Sequence, residues 1–568
     1  AVGAAHSIDG CALLRQVRPV WGRNERPPRP LKCLFGATRG GIVRGIAGCV
    51  NPLHFKPATT RKTMPDQRPS VALPLLILAV TVSSTPAEPT SSRPAKLDAL
   101  RAVTAYADCL LEHGRDTYGT EHSPLFAEAL DRHTLKLLEG EALQRVAAIP
   151  FDQWGIRPHD RMLTAANPMH CENLYQVLYA LTTVTGQKKY AVEADRSLKF
   201  FFQHCQSPAT GLFYWGEHAG WDLIQDRPME GRSANLHEFY RPWVLWDRSY
   251  QLAPAACRKF FLGLWEHQIG DQTTGQFSRH AAIAAHGPRT DAPYARHAGT
   301  YIATWAKAYQ LTREPILLKA IEVVLEGQER NRREDGLLAG GSLKKGSRRT
   351  HDLGLAVSLG EAAPMLPEPL AARLRDVAQI NDGDLAAARV SVSPDANLWS
   401  AGYGASGGQI ASAACLRLLR YRQNGPPAYK DLSHNRPSQA GRPSRTELPT
   451  DLGTGPKTLI LDAARQYLTG PINFSFPVHP GTVGNVIQLL LDAHELTAEK
   501  AYLARAEALA AEAVQLFTGD GCPLPKASHL HDHYEAVTGA DTLMMALLNL
   551  WARQQTPPRD LGLQFTDR

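Results

Sequence analysis

Apolar positions recur at helical spacing through most of the chain from residue 98 to 555, and no stretch alternates with the period of two that a half-buried strand requires. Residues 484–497, GNVIQLLLDAHELT, are apolar nearly all round and predict a helix buried on every side. Residues 500–517 follow after a short turn and are two-faced. Lys500, Arg505, Glu507, Glu512 and Gln515 lie on one side, with Tyr502, Ala506, Leu509, Ala513 and Leu516 on the other. An inner helix, a short turn and an outer helix make a hairpin. The same text returns at 179–194 (YALTTVTGQKKYAVEA) and 307–320 (KAYQLTREPILLKA), each with a threonine closing its first helix: Thr185, Thr312 and, in the third copy, Thr497. Their unequal spacing describes divergent hairpins rather than a strict repeat. The pattern predicts an all-α fold over 98–555, an α/α toroid (barrel) of six or seven helical hairpins. Residues 424–456 carry no periodicity and are expected to be an inserted loop.

Composition changes this picture only at the N-terminal end. The 568 residues include 62 basic and 55 acidic side chains. Eleven of the basic and two of the acidic residues fall in 1–63, so the rest of the chain is close to neutral and gives no support for nucleic-acid binding. From Met64 the text reads as a secretory signal peptide: a short polar start with Arg68, an apolar run from Val71 to Val82, then small residues. The expected layout is a non-native or disordered basic extension at 1–63, a signal peptide at 64–87, a linker at 88–97, the toroid, and a tail at 556–568. A secreted or periplasmic location follows, with no stable membrane span. The six cysteines beyond the signal show no C-x-x-C spacing.

Long loops must enter the ring on one rim, just before each inner helix, and that rim is where a rigid scaffold carries a site. Six of the seven expected inner starts bear a histidine: His170, His237, His297, His351, His479 and His533. The seventh has Trp399 and Tyr403. The partial positive charge of a helix N-terminus disfavours imidazolium, leaving neutral rings that accept or donate a proton. Tyr240, Tyr301, Tyr534 and Trp215 add aromatic faces, the combination that sugar rings need. The loop GLFYWGEHAGWDL, 211–223, concentrates Tyr214, Trp215, Glu217, His218, Trp221 and Asp222 between glycines. A basic run before His351, including Arg330, Lys344, Arg348 and Arg349, suits an anionic chain. His529, His531 and His533 could meet a metal if extended, but no accompanying motif supports this, and no metal or other cofactor is expected.

The chain resembles secreted bacterial α/α-toroid carbohydrate-active enzymes, a group that includes six-hairpin glycosidases, unsaturated uronyl hydrolases and toroid polysaccharide lyases. The resemblance rests on the hairpin pattern, the signal peptide, LLEHGRDTYGTEHSPLF (110–126) and TGLFYWGEHAGWD (210–222). It implies an enzyme that cleaves a uronate-containing polysaccharide or oligosaccharide. For cleavage by β-elimination the candidate catalytic residues are His237, Tyr240, His297, His351, His533, Tyr534 and Glu217. The candidate substrate-binding residues are His170, Tyr214, Trp215, His218, Trp221, Asp222, Arg241, Tyr301, Arg349, Asp352, Trp399, Tyr403, His479 and His531. A hydrolase is the alternative, with a carboxyl pair drawn from Glu217, Asp222, Glu238, Asp352 and Glu535. A non-catalytic glycan-binding protein is a third reading.

Overall fold

The structure is a computed structural model. It describes residues 97–565 except 232, 279–280, 287–294, 331–352, 388–396, 401–410, 412–414, 416–417, 421 and 424–455. The extension, the signal peptide, all but the last residue of the linker and of the inserted loop, and Lys344, Arg348, Arg349, His351, Asp352 and Tyr403 therefore lie outside the described residues.

The hairpins are present. Helix α1 (Ala99–His113) is followed, after the short helices Gly140–Ala147 and Phe151–Trp154 of the first long loop, by α2 (Glu172–Thr185) and α3 (Lys189–His204), then α4 (Trp246–Leu252) and α5 (Pro254–Gln268). Next come α6 (Ala295–Thr312) and α7 (Pro315–Arg330), α8 (Leu353–Ala362) and α9 (Leu370–Ala387), and α10 (Pro456–Arg465). Helices α11 (Pro480–Thr497), α12 (Lys500–Thr518) and α13 (Ala540–Arg553) complete the chain. The inner helix α11 is buried along its whole apolar length, whereas α12 buries only the stripe Tyr502, Ala506, Leu509, Ala510, Ala513 and Phe517.

The recurring threonine has one physical job in all three copies. Its hydroxyl donates to the carbonyl four residues back, Leu181, Ala308 or Ala493, at 2.6 to 2.8 Å. It then accepts the backbone N–H two residues on, from Gln187, Glu314 or Glu499. The residue between is left-handed each time: Gly186, Arg313 and Ala498, with φ of 73°, 60° and 58°. One side chain thus back-bonds to the last turn of the inner helix and satisfies a backbone N–H at the start of the outer one.

Neighbouring inner helices pack in sequence, α6 on α8 and α11 on α13, and α13 packs in turn on both α1 and α2. The ring closes because α1, the first helix, is the outer partner of the last inner helix, α13. The described residues of 411–423 bridge α8 and α11: Gln423 donates to the Val357 carbonyl at 3.0 Å, and Arg422 pairs with Glu495 at 3.0 Å. The described helices therefore form an α/α toroid. Gly484 lets α11 and α13 approach closely, since a Cβ there would meet Leu543 Cα at 2.8 Å.

The pattern of apolar residues gave no hint of the short strands that stitch the long loops. Strand β1 (Ala129–Leu130) pairs with β9 (Tyr534–Glu535), tying the first long loop to the last. Strands β2 (Ala165–Ala166), β3 (Trp221–Asp222) and β4 (Arg227–Pro228) form one sheet. Strand β5 (Leu236–His237) pairs with β8 (Ala281–Ala282), and β6 (Ile269–Asp271) with β7 (Gln276–Phe277). At two or three residues each they are too short to show a period. Among the described residues no helix is long and apolar enough to cross a membrane.

Candidate active site

Four chain segments meet at one buried polar cluster: the short turn Pro158–Asp160, the loop 211–223, the exit of β5 and the start of α6. The Glu217 N–H donates to the Glu238 carbonyl at 3.2 Å, and Asn167 Nδ2 donates to the Gly216 carbonyl at 2.8 Å. Gly216 has φ of 122°, and a Cβ on it would sit 2.7 Å from the Glu238 carbonyl oxygen. Only glycine lets the loop lie this close to the strand.

His218 is the centre of the cluster. Its Nδ1 lies 2.9 Å from Asp160 Oδ1, and its Nε2 lies 3.4 Å from Glu217 Oε2 and 3.5 Å from Glu238 Oε2. His297 Nε2, from α6, is 3.5 Å from the other oxygen of Glu238. Arg157 donates from Nε to Asp160 at 2.6 Å and from Nη2 to Glu217. The side chains of Asp160, Glu217, His218, Glu238 and His297 are at most 6% exposed. Burial, with Glu238 alongside, raises the Glu217 carboxyl to about 7. Burial alone would lower His218, but hydrogen bonding to Asp160 and Glu238 outweighs it and raises the ring to about 9.

The ligand-capable atoms of Glu217, His218 and Glu238 all lie within 4.8 Å of one another, as do those of His159, Asp160 and His218. Two carboxylates and an imidazole suit a divalent first-row ion better than calcium, which takes oxygen ligands. The cluster of His529, His531 and His533 considered from the sequence does not form. His529 Nδ1 accepts the Val478 N–H, His531 turns onto Ser528, and His533 binds Glu535, so the three imidazoles have separate partners.

A second buried group adjoins the first through consecutive residues. Arg161 donates to both oxygens of Glu535, at 2.8 and 2.5 Å, and His533 Nε2 is 2.8 Å from the same carboxylate. Burial opposes the charge on Glu535, but Arg161 prevails and holds the carboxyl down to about 2. His170 Nδ1 faces Glu128 at 3.1 Å, with the rings of His170 and Tyr240 6.4 Å apart. Arg241 donates to the Met169 carbonyl and lies over the Tyr240 ring.

Several sequence candidates sit elsewhere. His237 is fully buried beside Phe239 and Phe260, where desolvation lowers it to about 4; it is a core residue rather than a rim base. Trp215 is wholly enclosed by Phe201, Phe202, Phe213, Trp243 and Trp246, so it has no face to offer a sugar. Tyr301 is buried and donates to Gln268, and Tyr534 is buried against the Tyr106 hydroxyl. Trp399 packs edge-on to Tyr467 in the core. His479 precedes α11 and is 4% exposed. Asp222 accepts the backbone N–H groups of Ile224 and Gln225 in the β3–β4 turn, a structural use. Tyr214 and Trp221 remain half-buried neighbours. Asp160 and Arg157 were not singled out from the sequence. The signal was there as the dense polar run RPHDR, 157–161, which lies outside any apolar period.

Every residue of the central cluster, from Arg157 to His297, falls inside one stretch of the chain. Residues 147–327 match the family described as periplasmic pectate lyase. That is less than half of the chain. A pectate disaccharide-lyase of Dickeya dadantii is 24% identical over 136 residues, which span 24% of this chain and 25% of that relative. Among solved structures, a family 76 glycoside hydrolase from Bacteroides thetaiotaomicron is similar over 81% of this chain and 79% of its own, with 10% identity and a TM-score of 0.37. A cellobiose 2-epimerase from Bacillus thermoamylovorans is similar over 76% and 90%, also with 10% identity, with a TM-score of 0.35.

Proposed function

We propose that the protein is a lyase that cleaves a uronate-containing polysaccharide, such as pectate, by β-elimination. The observation that carries this reading is the buried Glu217–His218–Glu238 cluster within the segment that matches the pectate lyase family. The family description is periplasmic, in keeping with the export expected from residues 64–87.

Charge counting says how such a cluster would meet its substrate. Three carboxyl groups, Asp160, Glu217 and Glu238, face Arg157 and His218. A bare uronate carboxylate would be repelled by this surplus of acid. Glu217, Glu238 and the deprotonated His218 ring would hold a divalent cation, which would supply neutralisation of that carboxylate. Asp160 receives His218 at Nδ1 and so keeps Nε2 turned toward the two glutamates. Arg157 spans Asp160 and Glu217 and holds their spacing. In the reaction the C5 proton passes to a base, the C–H electron pair forms the C4–C5 double bond, the C4–O bond breaks and the released oxygen takes up a proton. His297, 3.5 Å from Glu238, is the imidazole best placed to handle a proton here.

The hydrolase reading keeps one supporting observation: the Glu217 carboxyl, raised to about 7 beside Glu238, could serve as an acid. Products decide between them. Polygalacturonate treated with the protein should yield chains with an unsaturated, ultraviolet-absorbing end, more with added Mn2+ and fewer with a chelator. New reducing ends without that chromophore would overturn the lyase reading in favour of hydrolysis. Retention of the polymer in a gel with no cleavage would favour the binding protein.

A further inference from the structure

The five exposed large apolar side chains among the described residues are unevenly placed: Phe151, Val192, Ile224, Phe474 and Leu530. Only Val192 lies in a helix of the ring; the other four lie in the long-loop segments. Phe474 and Leu530 fall on neighbouring loops, those leading into the adjacent inner helices α11 and α13. Phe474 is 45% exposed and its ring centroid is 4.9 Å from that of His529.

This aromatic surface is fixed in place. His529 Nδ1 accepts the Val478 N–H at 3.1 Å, while the His529 N–H donates to the Val478 carbonyl at 3.2 Å, so the two loops are stitched together beside Phe474. Because Nδ1 accepts, the neutral ring carries its proton on Nε2. The turn bearing Phe474 is clamped from the other side. Asn397 Nδ2 donates to the Asn473 carbonyl at 3.2 Å and to Ser475 Oγ at 3.1 Å, and the Ser475 N–H donates to Asn473 Oδ1 at 2.9 Å. Phe474 thus presents a part-exposed ring framed by a neutral imidazole and amide groups, the pairing of an aromatic surface with fixed polar atoms that suits a sugar ring.

We propose that Phe474 and His529 form a distal sugar subsite, with Phe474 stacking on the C–H face of a ring and His529 Nε2–H bonding a hydroxyl. The proposal rests on the glycan reading above and assigns the occupant as a length of the same polysaccharide. Continuity supports that choice. The loop bearing His529 runs on to His533, which touches Glu535 and Arg161, and the residue before Arg161 is Asp160 of the central cluster. Platform and cluster thus lie along one rim. The subsite reads ring faces rather than carboxylates, so its contribution is expected to be insensitive to salt.

The test compares wild type, Phe474→Ala, Phe474→Trp and His529→Ala. On polygalacturonate Phe474→Ala should raise KM about three- to tenfold with kcat and Tm unchanged, Phe474→Trp should restore it, and His529→Ala should show a smaller rise. On a short oligogalacturonate confined to the cluster, all four proteins should be alike. Equal KM values on the polymer, or equal losses on polymer and oligomer, overturn the subsite. If wild type cleaves nothing, the lyase reading fails by itself, and electrophoresis through gels containing pectate or neutral galactan still decides. Retardation of wild type that Phe474→Ala loses upholds the subsite. No retardation of wild type, or equal retardation of both, overturns it.

Discussion

His218 has two nitrogens, and the carboxylate behind it decides what each can do. With Nδ1 against Asp160, Nε2 faces Glu217 and Glu238. Asp160→Asn should leave the fold intact but weaken this orientation and the basicity of the ring. The expected outcome is a 10–100-fold loss of Mn2+ affinity by calorimetry, a readout that does not depend on turnover. Glu217 makes a pH prediction. Its carboxyl is raised to about 7, first by burial and then by Glu238, so the ionised form that can bind a cation dominates only above that pH. His218 must also give up the proton it holds up to about 9 before Nε2 can bind a cation, so activity is expected to rise with pH through about 7 and on toward about 9, and a kcat/KM profile that is flat from pH 5 to 9 would contradict this. The sequence exposed Glu217 and His218 through an unusual loop, but it also promoted His237 and Trp215. His237 was read as opening a helix but lies in β5, and Trp215 was read from a loop; neither reading says which way a side chain points, and both side chains are fully buried.

At the scale of the element, the hairpins were legible because their chemistry is local. A threonine that caps within four residues, a left-handed residue after it and an amphipathic outer helix leave marks in contiguous text. Helix α11 holds a different kind of group. Asp492 is buried toward the C-terminal end of this largely apolar helix, accepting from Gln488 at 2.8 Å, with Arg422 4.0 Å away. Burial raises its carboxyl from 3.8 to about 7. Between those values the unfolded chain has already lost the proton that the folded chain still holds, so folding stability falls as pH rises. Asp492→Asn is expected to be neutral at about pH 4 and to raise Tm by a few degrees at about pH 8. A Tm change of equal size at both pH values would show that packing, not titration, is responsible.

On the scale of the whole molecule, ring closure brings α1 against α13 and sets β1 beside β9 across some four hundred residues of chain. That is why the toroid could be read from its hairpins while much of the site could not. Asp160, Glu217, Glu238 and His297 come from four separate stretches, and no spacing in the sequence encodes their meeting. Glu238 entered the sequence reading only as one acid among several; the fold puts it between two histidines. The central claim is that this buried cluster is where a uronate chain is cleaved by elimination. Its most direct test is the rate of unsaturated-product formation from polygalacturonate by Glu238→Gln beside wild type, with circular dichroism showing both folded. Wild type should form the product and Glu238→Gln should lose at least about a hundredfold in rate. A variant that forms the unsaturated product at the wild-type rate would contradict the account.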